Sequence, residues 1–113
     1  MTQTIIRSAE QEEDLHPDHQ LYFVRDVVVA ATGAGLSLQR GRIEPGGEIV
    51  GHCHEQNLTV YILSGDVTCY LGEEENLLGA GSCVVVGAGI VHGFKNCGDK
   101  PVEMILVFVP PAQ

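Results

Sequence analysis

The chain has no tryptophan, and three tyrosines plus three phenylalanines are few for 113 residues, so aliphatic packing must dominate its interior. Cationic charge is equally scarce. Six Lys and Arg stand against fifteen Asp and Glu, giving a net charge of −9. That balance argues against nucleic acid or an anionic membrane as a partner, since both need a cationic surface. No stretch approaches the ~20 apolar residues of a membrane span. Met1-Thr2-Gln3-Thr4 lacks the charged and apolar regions of a signal peptide. The four cysteines, at 53, 69, 83 and 97, form no Cys-x-x-Cys pair. They read as reduced thiols in a cytoplasmic protein, with Cys69 and Cys83 as small core residues. No run of ten or more residues keeps a helical period, and 14 glycines disfavour helix.

What is present is a series of short apolar strands between turn signals, on a chain of single-domain length. Residues 1–20 read as a polar N-terminal arm, with His16 and His19 as surface loop residues around Pro17. Residues 21–113 read as one β-barrel domain. The expected strands are Leu21–Arg25, Val27–Ala31, Leu36–Glu44, Glu48–His54, Leu58–Leu63, Val67–Leu71, Ser82–Val86, Val91–Lys95 and Val102–Val109. Pro45-Gly46 suits a type II turn, and Ser64-Gly65-Asp66 a tight hairpin. The acidic run Glu73–Glu75 reads as a loop tip. Such a pattern closes well as an all-β jelly-roll barrel around an interior cavity.

Three histidines carry the chemistry. In Gly51-His52-Cys53-His54, strand alternation aims both imidazoles to one side, and Cys53 away from it. His92 in Gly87-Ala88-Gly89-Ile90-Val91-His92 can add a third imidazole from a distant strand. Three imidazoles with open positions make a metal centre, because the vacancies admit water, oxygen or substrate. Ligand type alone does not choose among Fe, Mn, Ni, Cu and Zn.

The spacing of these residues resembles two signature motifs of the cupin superfamily. The first runs Gly46, five residues, His52-x-His54, then on to Gly65. The second runs Gly81, five residues, Gly87-x-Gly89, two residues, His92, three residues, Asn96. Gly87 stands where the family usually has proline, and Leu58 where it has a glutamate ligand. The resemblance covers roughly residues 36–110 and implies a cupin-type jelly roll, or double-stranded β-helix. It implies a metal site as far as His52, His54 and His92 support one. In that superfamily, three-histidine sites occur in thiol dioxygenases and diketone-cleaving dioxygenases.

The expected site is thus one divalent transition metal on His52, His54 and His92, with Gln56, Leu58, Val60 and Phe94 lining a mostly apolar pocket. Arg40 and Arg42 would anchor a substrate carboxylate if they faced inward, but arginine is mostly exposed. Two functions follow. One is a metal-dependent oxygenase, of dioxygenase type, acting on a small organic substrate. The other is a non-catalytic small-molecule or metal-binding module. A homodimer is expected, with no nucleic-acid or membrane partner.

Overall fold

Strand alternation builds the core. In β4 (Asn57–Ser64), Leu58, Val60 and Ile62 are buried while Tyr61 and Leu63 face outward. In β9 (Val102–Val109), Val102, Met104 and Leu106 do the same. A computed structural model describes residues 3–112. The remaining strands are β1 (Asp14–Leu15), β2 (Gln20–Val28), β3 (Ser37–His52), β5 (Val67–Leu71), β6 (Glu74–Leu78), β7 (Cys83–Val86) and β8 (His92–Lys95). All pairings are antiparallel, in the order β6-β5-β8-β3-β9-β4-β7, with β2 also on β3 and β1 on β2. The architecture is the expected all-β one, a curled antiparallel sheet around one core. No helix among the described residues is long and apolar enough to cross a membrane.

β3 organises the molecule. Its first part, residues 37–43, pairs with β9, and its last part, 48–52, with β8. Pro45-Gly46 therefore does not separate two strands. Gly46 has φ 82°, as a type II turn requires, but the chain bends and continues instead of reversing. The strand expected at Leu21–Arg25 and the start of the one expected at Val27–Ala31 likewise form one strand, β2, with a register shift between Asp26 and Val28, but β2 stops at Val28 and Ala30–Thr32 form a 3-10 turn.

Ser64-Gly65-Asp66 links β4 to β5, yet these strands are not partners: β4 pairs with β7 and β9, β5 with β6 and β8. The turn carries the chain between the two sides of the curl. The run Glu73–Glu75 is not wholly a loop tip, because Glu74 and Glu75 begin β6. Their exposed carboxylates lie on an edge strand, where charge discourages pairing with another chain. Cys69 is buried, but Cys83 faces solvent because it holds an outward position of β7 opposite Tyr61.

The N-terminal segment packs on the barrel. Glu13 bridges Arg25 and Arg42, and those guanidiniums, Arg42 foremost, hold its carboxyl below the usual range. Arg25 also donates to the carbonyls of Ser8, Ala9 and Gln11. Arg42 pairs further with Glu44, and Arg40 with Glu103. Both arginines are thus committed to carboxylates on the outer side of the sheet, away from the histidines.

Gly41 keeps regular register with Val24 and Met104, so no bulge sits there. Its hydrogen makes room for a ring: a Cβ would lie 2.7 Å from the Tyr22 hydroxyl and 2.8 Å from Tyr22 Cε1. Gly41→Ala should destabilise the protein by about 1–3 kcal/mol in denaturant unfolding. In a Tyr22→Val background the same change should cost clearly less. An equal loss in both backgrounds would show that the ring is not what the glycine accommodates.

Candidate metal centre

His52 ends β3 and His92 opens β8, and the two are direct cross-strand partners. A register shift between Ile49 and His52 brings the strands together there. Gly93 permits the approach, since a Cβ would meet the Ile49 carbonyl at 2.9 Å and the Gly51 nitrogen at 3.1 Å. His54 lies in the loop just past β3, not in the strand as alternation suggested. Two hydrogen bonds fix that loop against the turn before β8. The Gly89 N–H donates to the His54 carbonyl at 2.9 Å, and the Ala88 N–H to Asn57 Oδ1 at 3.0 Å. Gly89 has φ 79°, a conformation glycine adopts freely. Asn96 closes the same motif. Fully buried, it donates to the carbonyls of Ile43 and Lys100 and accepts from the Gly98 N–H.

The three rings converge. Their centroids lie 4.7 Å apart for His52–His92, 4.9 Å for His54–His92 and 5.6 Å for His52–His54. One nitrogen from each lies within 4.8 Å of the others. Three nitrogens sharing one ion at ~2.1 Å lie about 3.0–3.6 Å apart, so the rings must draw together by up to about 1–2 Å to share a metal.

The protonation pattern fits this use. The Nδ1 atoms of His52, His54 and His92 lie 2.8, 3.0 and 2.9 Å from the carbonyls of Val50, Gln56 and Ile90. A carbonyl only accepts, so each Nδ1 carries the proton and each Nε2 keeps its lone pair. Such an outer hydrogen bond fixes ring orientation and tautomer in metal sites. The Nε2 atoms of His54 and His92 are buried without any hydrogen-bond partner. Each orphan atom costs roughly 1–3 kcal/mol unless something binds it. Burial also holds the His92 imidazole below its ordinary pKa. The residues present fit a divalent metal.

The cavity around them has a volume of about 60 Å³. Leu58, Leu106, Phe108, Ile49 and Phe94 make its apolar wall, and Gln39, Tyr22, His16 and His19 add polar groups. Leu58 and Phe94 thus line the cavity. Val60 is buried in the core below it, and Gln56 contributes its backbone carbonyl to His54 while its side chain stays outside the lining. Cys53 is exposed and off the cavity. No carboxylate and no Lys or Arg is among the lining residues.

His16 and His19 are lining residues that loop composition concealed, and Tyr22, on an expected strand, lines the cavity beside them. They reach the site because Gln20 pairs with Glu48, which folds the end of the arm over the mouth of the barrel. That pairing spans 28 positions of sequence, and only the inward parity of Tyr22 on β2 hinted at it.

The cupin domain family model matches residues 39–108, well over half of the chain. The chain belongs to the cupin family. No curated protein matches the sequence significantly. Among solved structures, this cupin resembles the polyketide cyclase RemF from Streptomyces resistomycificus. That match has a TM-score of 0.87 and 19% identity, covering 99% of this chain and 81% of that one. A protein from Thermotoga maritima described as a "predicted oxalate decarboxylase" matches with a TM-score of 0.83 and 18% identity, over 95% of this chain and 99% of that one. An RmlC-like cupin from Shewanella frigidimarina matches with a TM-score of 0.85 and 15% identity, over 99% and 95%. At these identities the likeness is one of fold.

Proposed function

We propose that this cupin is a metal-dependent enzyme of oxygenase type acting on a small, largely apolar, chelating substrate. His52, His54 and His92 would hold one divalent transition metal ion. The observation that carries this reading is the convergence of one ring nitrogen from each of three histidines, with the Nε2 atoms of His54 and His92 buried and unpartnered, in a cavity wall without a carboxylate. When bound there, such an ion supplies Lewis acidity and open positions for oxygen and substrate.

The chain's own residues do the rest. The triad offers only neutral donors, so the ion keeps its full positive charge. A buried charge must be matched, and here only the ligand can do it. The substrate therefore binds as an anion. Leu58, Leu106 and Phe108 shape the space for its apolar body and exclude water, which strengthens every polar contact inside.

The small size of the cavity favours a second reading, a module that binds a small ligand without converting it. An oxygen electrode separates the two. Iron-loaded protein should consume oxygen with some members of a panel of small apolar chelators, and His92→Ala should abolish that uptake. Tight binding across the panel with neither uptake nor product would leave the binding module.

A further inference from the structure

Tyr22 is only 3% exposed, and its hydroxyl is buried with no hydrogen-bond partner. It lines the same cavity as the three histidines. A buried hydroxyl left unpaired is costly, so an acceptor for its proton belongs in that space.

His19 lines the cavity too, with its ring centroid 5.1 Å from that of His52. Its hydrogen bonding is the reverse of the triad's. The Val50 N–H donates to His19 Nδ1 at 3.0 Å. Nδ1 is therefore the bare nitrogen, and in the neutral ring the proton sits on Nε2. The triad keeps bare Nε2 nitrogens, whereas His19 and Tyr22 carry N–H and O–H donors.

The backbone between these two residues is strained to place them. Leu21 has φ 49°, a region that bulky side chains rarely adopt. The register of β2 on β3 slips at this point, from Gln20↔Glu48 to Tyr22↔Ile43. Leu21 takes up the slip with its side chain toward solvent, so His19 and Tyr22 both reach the cavity. Strain of this kind persists where the surroundings hold it, often at ligand sites.

We propose that Tyr22 and His19 are the positioning residues of the ligand site. On this inference, which rests on the metal-centre reading above, the ligand is a monoanionic oxygen chelator with an apolar body. Its oxygens face the Nε2 atoms of the triad, and they accept hydrogen bonds from the Tyr22 hydroxyl and from His19 Nε2–H. A monoanion is the least charge that answers the ion, and with no Lys or Arg in the lining its oxygens are oriented by neutral donors, which suffice for an oxyanion.

Acetohydroxamate, a small monoanionic oxygen chelator, is a suitable probe. The Co(II)-loaded full chain would be titrated with it by calorimetry and visible absorption, after cobalt content has been measured. Tyr22→Phe and His19→Leu should each weaken acetohydroxamate binding about tenfold while cobalt content stays at the wild-type level. His19→Gln, which keeps an N–H donor, should recover most of the affinity. Without metal or probe, Tyr22→Phe should melt no lower than wild type, because the hydroxyl it removes has no partner. Unchanged acetohydroxamate affinity in both Tyr22→Phe and His19→Leu, with cobalt bound, would overturn this inference and leave the metal centre standing. So would wild-type protein that binds cobalt but not acetohydroxamate. Wild-type protein that binds no cobalt would overturn both.

Discussion

His92→Ala should reduce bound metal from roughly one ion per chain to near zero, as elemental analysis would read it. His92 is the most enclosed member of the triad, 1% exposed, and its Nε2 has no other partner. Losing even an outer-shell partner costs ~10–100-fold in metal affinity, and here a direct donor is lost. Two imidazoles remain, one of them in a loop. Acid should act in the same direction, because protons compete for the Nε2 lone pairs. Acid also works against the metal-free protein. Burial lowers His92, and burial above all lowers His19, to about 4. The unfolded chain then binds protons that the folded chain refuses. The stability due to these groups is present above the ordinary imidazole value of about 6.5 and is lost as pH falls toward 4. Stoichiometric metal in a variant with His52, His54 and His92 all changed to alanine would refute the centre.

Leu58→Glu should have an effect of opposite sign with and without metal. Leu58 is 2% exposed and lies between Val86 and Phe108 across the sheet. It also lines the histidine cavity. A carboxyl placed there without metal is desolvated, its pKa rises, and stability falls by about 1–3 kcal/mol or more. With metal it becomes an anionic fourth donor, and binding to the folded state restores stability by mass action. Thermal unfolding across a metal titration would show a low melting point that climbs past the wild-type response. It would also occupy an open position, so oxygen uptake should fall as affinity rises. A loss of stability that no metal repairs would mean that Leu58 is ordinary wall packing, unrelated to coordination.

The strands and the triad were legible because they rest on local rules. Alternation marks the inward side of Leu58, Val60 and Ile62, and glycine spacing brackets His52, His54 and His92. What stayed hidden depends on distant pairing. Pro45-Gly46 has turn chemistry, but only the partners on either side of it, β9 and β8, decide that the chain bends instead of reversing. Glu74 and Glu75 have poor strand propensity, yet β5 offers them an edge to pair with. His19 sits in a polar stretch beside a proline, and nothing nearby in sequence shows that Gln20 will find Glu48.

The three imidazoles take their orientation from carbonyls two residues away on their own chain, at Val50, Gln56 and Ile90. A carbonyl is common to every amino acid. The side chains at those three positions, and along the rest of the cavity wall, can therefore vary without disturbing which nitrogen of each ring is free. Selection can rework what such a cavity recognises by exchanging Leu58, Leu106 or Phe108 while the coordinating set is carried along unaltered. A scaffold wired in this way lends itself to divergence, with one fixed frame of histidines and many tenants.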